Sequence, residues 1–89
     1  MGGLELKPEE AFGQVLKRVR TDKQISQEKL ALTGGLDRTF ISLLERGLRQ
    51  PSLTTILQIA DSLGVPAESL IAMVKEELDE SHSNTNINR

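Results

Sequence analysis

Ser26 to Gly47 reads S-Q-E-K-L-A-L-T-G-G-L-D-R-T-F-I-S-L-L-E-R-G, and the reading of that run decides the fold. At helical spacing it divides into two short helices around a tight turn. Ser26 suits an N-cap, because its hydroxyl oxygen can accept an amide hydrogen two or three residues on. Leu30 and Ala31 lie on the inner face of the first helix. Gly34-Gly35 ends that helix, since glycine tolerates the positive φ of a sharp exit. Leu36 follows as the apolar plug of the turn, Asp37 caps the second helix, and Gly47 stops it.

Two helices joined by a short glycine-containing turn match the helix-turn-helix pattern, whose second helix can enter a DNA major groove. At about 100° per residue, Ile41 and Leu44 point one way along that second helix, with Phe40 beside them. Arg38, Thr39, Ser42, Leu43 and Arg46 fall on the opposite face. Arg38 can offer a fork to guanine O6 and N7, and Thr39 and Ser42 can hydrogen-bond bases or phosphates.

Upstream, Pro8 suits a first helical turn, and Glu9 and Glu10 favour the positive end of the helix dipole. Phe12, Val15, Leu16 and Val19 recur at helical spacing, so a helix runs to about Thr21, and Ile25 anchors the next connection. Downstream, Pro51 interrupts and Ser52 caps a fourth helix, with Leu53, Ile56, Leu57, Ala60 and Leu63 as its inner stripe and Gly64 at its end. Pro66 starts a fifth, carrying Leu70, Ile71, Val74 and Leu78. The expected architecture is all-α, a compact five-helix bundle. It has a flexible leader over 1–7, the domain over 8–78, and a disordered polar tail over 79–89.

The chain has 89 residues, no cysteine, two phenylalanines and a formal net charge of −2. It is expected to form one small domain with no disulfide, no thiolate metal site and no room for a separate ligand-sensing domain. Nothing approaches a membrane span or a signal peptide, so a cytoplasmic, nucleoid-associated protein of a bacterium or phage is expected. With so few aromatics, base stacking on single strands is not expected. The overall acidity hides an uneven distribution. Gln14 to Gln50 holds eight basic residues against four acids, while the rest holds three against nine. Local field, rather than total charge, decides whether phosphates are attracted. The single histidine, His82, sits in the polar tail, and no arrangement of residues for catalysis, metal or cofactor is visible.

The segments S-Q-E-K-L-A, G-L-D-R-T-F-I-S, L-E-R-G and Q-P-S-L, in that order, resemble the Cro/C1-type (XRE) helix-turn-helix family of phage and bacterial repressors. Within it, G-L-D-R-T-F-I-S is most similar to restriction–modification controller proteins. The likeness covers roughly Phe12 to Ile71. It implies a lambda-repressor-like fold and a transcription regulator binding double-stranded DNA. Base edges would be met by the residues at Arg38, Thr39, Ser42 and Leu43. Leu43 departs from the polar residue frequent there; it either meets a thymine methyl or packs within the domain. The resemblance also implies that Gln27 contacts a phosphate and that Arg20 pairs with Glu45 as a structural brace.

Ser26, Lys29, Arg46, Arg49 and Ser52 are further candidates for the DNA backbone, where contacts position without specifying sequence. The stripe Leu70, Ile71, Val74 and Leu78 exceeds what a short terminal helix needs, which suggests a homodimer; equally, it closes the domain's own core. A different class of function, an antitoxin or other interaction module, would use the acids Glu76, Glu77, Asp79 and Glu80.

Overall fold

The caps and breakers predicted from the sequence set five helices in the computed structural model, which describes residues 5–86, with side chains through Ser81. They are α1 (Pro8–Asp22), α2 (Gln27–Gly34), α3 (Arg38–Glu45), α4 (Leu53–Leu63) and α5 (Ala67–Asn86). The Glu10 carboxylate accepts the Lys7 N–H at 2.9 Å, closing the first turn of α1. Ser26 Oγ accepts the Lys29 N–H at 2.9 Å and Ser52 Oγ that of Thr55 at 3.1 Å. Gly35, at φ +65°, turns the chain out of α2 in the left-handed region that side chains avoid.

Asp37 has the extended backbone of an N-cap, but its carboxylate makes no hydrogen bond to α3. This corrects the expected side-chain cap. The side chain is exposed and stays hydrated, leaving only attraction to the helix terminus.

One core joins all five helices. Ala11, Phe12, Val15, Leu16 and Val19 of α1 meet Leu30 and Ala31 of α2, Ile41 and Leu44 of α3, Ile59, Ala60 and Leu63 of α4, and Leu70 and Val74 of α5. The longest inner stripe, that of α1, packs on both α3 and α5. The helix α2 packs on α3 and α4, and α4 packs on α5.

Three expectations change. In α4, Leu53 and Leu57 are exposed, at 70% and 50%, whereas Ile59 is fully buried. The inward arc is Ile56, Ile59, Ala60 and Leu63. Apolar residues around most of α4 make several arcs equally plausible on a helical wheel. In α5, Leu70 and Val74 are buried and Leu78 packs against the core, so most of the stripe suggested for dimerisation faces inward. A small core needs that lid; Ile71 alone of the four is exposed, at 45%.

Finally, α5 continues to Asn86 rather than ending near Leu78. The polar residues after Leu78 still suit a helix: Lys75 bonds Asp79 one turn on, at 2.9 Å. Ser81 Oγ accepts the N–H of Leu6 at 3.1 Å, and Leu6 packs against the core. The end of the predicted leader is therefore docked. Residues 1–4 and 87–89 of the predicted leader and tail lie outside the described residues.

Candidate nucleic-acid interface

The position of α3 is set from beneath by α1. A Cβ on Gly13 would fall on the backbone carbonyl oxygen of Leu44 and lie 2.7 Å from that of Glu45. Only a glycine lets the two helix backbones come this close.

A polar clasp fixes the C-terminal end of α3. Arg20 donates from Nε to Glu45 Oε2 at 2.5 Å and from Nη2 to Oε1 at 3.0 Å. Its Nη1 donates to the Ile25 carbonyl at 2.8 Å. Gln27 Nε2 adds a fourth bond, to Glu45 Oε1 at 2.9 Å. The Arg20 and Glu45 side chains are 13% and 3% exposed. A bidentate fork of this kind is both stronger and more directional than a single charged contact. The sequence did not reveal that Gln27 joins the pair. Its expected role as a phosphate ligand needs qualification, because one of its N–H groups already faces inward.

Above this support, Ile41 and Leu44 are fully buried and the other face of α3 is open. Arg38 and Thr39 are exposed, and Ser42 and Leu43 are half-buried. Leu43 belongs neither to the core cluster nor to the partly buried side chains packed against it. Lys29, Arg46 and Arg49 are exposed, and no ion pair among the described residues involves them or Arg38. By contrast Arg18, off this face, pairs with Glu77 of α5 at 3.0 Å.

The hydroxyl oxygens of Ser26 and Ser52 serve as helix caps, and Ser52 also donates to Thr55 Oγ1 at 3.1 Å. What these two positions offer outward is chiefly the unpaired backbone N–H groups of a helix start. The face therefore combines a guanidinium fork, two hydroxyls and one apolar side chain along one helix, with uncompensated cations around it.

The fold that carries this face recurs in known proteins. A helix-turn-helix family model matches residues 16–70. The chain belongs to that family of DNA-binding regulators. It is 46% identical over 61 residues to the control protein C.BamHI of Bacillus amyloliquefaciens, covering 67% of this chain and 75% of the relative. The crystal structure of the restriction–modification controller protein C.AhdI from Aeromonas hydrophila is similar at a TM-score of 0.68 with 44% identity, over 70% of this chain and 94% of that one. A C.Esp1396I tetramer solved with its natural 35-base-pair operator is similar at 0.76 with 31% identity, over 83% and 97%. This regulator is thus a sequence-specific DNA-binding transcription factor of the controller-protein type, a non-enzymatic class.

Two features of the regulator escaped sequence reading. Gly13 left a signal, a glycine inside an otherwise periodic helical run. Gln27 left none, because its bond to Glu45 joins residues 18 apart. The acids that suggested an interaction module are surface positions of α5, where Glu77 bonds Arg18 and Asp79 bonds Lys75. No group of three or more His, Cys, Asp or Glu among the described residues could hold a metal ion. His82 lies outside the described side chains. No single described helix is long and apolar enough to cross a membrane.

Proposed function

We propose that the regulator binds a palindromic operator as a homodimer in the cytoplasm, with α3 in the major groove. Arg38, Thr39, Ser42 and Leu43 meet base edges, while Ser26, Gln27, Lys29, Arg46, Arg49 and Ser52 line the flanking phosphates. The observation carrying this reading is the polar outer face of α3 opposite Ile41 and Leu44, surrounded by cations without protein partners. The operator complex of C.Esp1396I supports it by likeness. Leu43, outside the core, is assigned to a thymine methyl.

Selection of bound duplexes from a random pool, at two salt concentrations, tests the reading. A palindrome with half-sites about one helical turn apart is expected. Arg38→Ala is expected to cost about 1–3 kcal/mol at one base position and relax the preference there. Arg49→Ala should instead weaken all duplexes alike and flatten the salt slope by about one unit. Sequence-blind binding that disappears at moderate salt would refute the assignment.

For the dimer, the proposed face keeps Ile71 of the α5 stripe, leaves out Leu70, Val74 and Leu78, and adds Leu53 and Leu57 of α4. Leu53, Leu57 and Ile71 are exposed apolar side chains, and Ile71 also edges a groove with Phe12, Pro51, Ile56 and Val74. Leu57→Glu is expected to give monomers by sedimentation with the fold unchanged. Leu70→Ala, at a fully buried site, is expected to cost about 2–5 kcal/mol of stability instead. An unchanged dimer in Leu57→Glu would exclude this face.

A further inference from the structure

We infer that Glu45 is a positioning residue for DNA binding: its carboxylate orients the Gln27 carboxamide so that one N–H is held inside the protein and the other is presented to a DNA phosphate. The inference rests on the DNA-binding reading and supplies the link between its backbone-contacting and base-reading parts.

The chemistry of the contact fixes the orientation. Glu45 Oε1 receives Nη2 of Arg20 at 3.0 Å and Nε2 of Gln27 at 2.9 Å. A carboxylate only accepts, so it selects the nitrogen side of a carboxamide and rejects the oxygen. The amide of Gln27 consequently has one rotational setting, with its second N–H directed away from Glu45. Among the described residues no buried side-chain N or O lacks a partner, and Gln27 Oε1 takes part in no hydrogen bond to protein. The carbonyl oxygen of the half-buried carboxamide is therefore in contact with solvent.

Placement gives this orientation a use. Gln27 is the first residue of α2, Glu45 the last of α3, and Arg20 lies in the final turns of α1. The start of α2 has outward backbone N–H groups suited to an anion. A glutamine already fixed there loses little side-chain freedom on meeting a phosphate. Because Gln27 is tied to α3 itself, a phosphate held by Gln27 sets how deeply and at what angle α3 sits in the groove.

The test uses the full chain, labelled with 15N, and a duplex recovered by the selection described above. The Gln27 side-chain amide protons are identified by their loss in Gln27→Leu. On adding duplex, backbone amides of α3 should shift, the outer Gln27 proton should shift and become protected from exchange, and the inner proton should stay where it is. Glu45→Gln keeps the side-chain shape, removes the counter-charge of Arg20 at a cost in stability that is measured separately by denaturant titration, and lets the Gln27 amide turn over. Its operator affinity should fall roughly tenfold, the size of one hydrogen bond to a charged group. Gln27→Leu should fall equally, and the double variant no further. Movement in α3 with an unmoved outer proton overturns the inference, as does additive loss in the double variant. If nothing in α3 moves at any salt concentration, the DNA-binding reading itself fails and this inference with it.

Discussion

Gly13→Ala is expected to lower the unfolding free energy by about 1–3 kcal/mol, the cost of forcing atoms into a packed interior. Helix propensity alone gives the opposite sign. Alanine in a helix interior is favoured over glycine by about 1 kcal/mol, and Gly13 lies in the middle of α1. The structure reverses the sign because the added methyl meets two backbone carbonyl oxygens of α3, those of Leu44 and Glu45. A side chain can rotate away from such a clash, whereas a helix backbone must move as a body. Urea unfolding of Gly13→Ala beside Gln14→Ala, the exposed position next to it, separates the two effects. Stabilisation at both sites would show that α1 and α3 are further apart than described. Since α1 also carries Arg20 to Glu45, lifting it should weaken operator binding by more than the stability change alone explains.

Glu45→Ala is expected to cost more, about 3–5 kcal/mol, because it leaves the Arg20 guanidinium buried without its counter-charge. Exposed ion pairs contribute only about 0–1 kcal/mol, so burial decides the magnitude. The Glu45 side chain is 3% exposed and Arg20 13%, and Gln27 also loses its acceptor. Domain stabilities are generally about 5–15 kcal/mol, and a loss of this size takes up much of that. Denaturant titration of Glu45→Ala, Arg20→Met and the double variant checks it. The double variant should recover part of the loss, since replacing both charges by apolar groups is often nearly neutral. A loss in Glu45→Ala near that of a surface pair would mean that water reaches the clasp.

Much of the regulator was legible in the sequence. The caps at Ser26 and Ser52, the glycine exit at Gly35 and the Pro51 break are local, since each depends on hydrogen bonds or φ angles within a few residues. The division of α3 into Ile41 and Leu44 on one side and Arg38 and Thr39 on the other follows from a helical period and one strongly amphipathic helix. Those signals sufficed for the helix-turn-helix and its outer face.

Tertiary packing decided the rest. Which arc of α4 turns inward, burying Ile59 and exposing Leu57, depends on where α2 and α5 lie, because the helix is apolar on more than one side. The inward commitment of Leu70 and Val74 follows from the open side of a small core that α1 and α4 leave for α5 to cover. The helical course of residues 79–86 and the docking of Leu6 near Ser81 join opposite ends of the chain, 75 residues apart. The same holds for the carbonyl oxygens over Gly13 and the bond from Gln27 to Glu45. Composition and period describe one segment at a time, whereas these contacts exist only once the helices have been placed against one another.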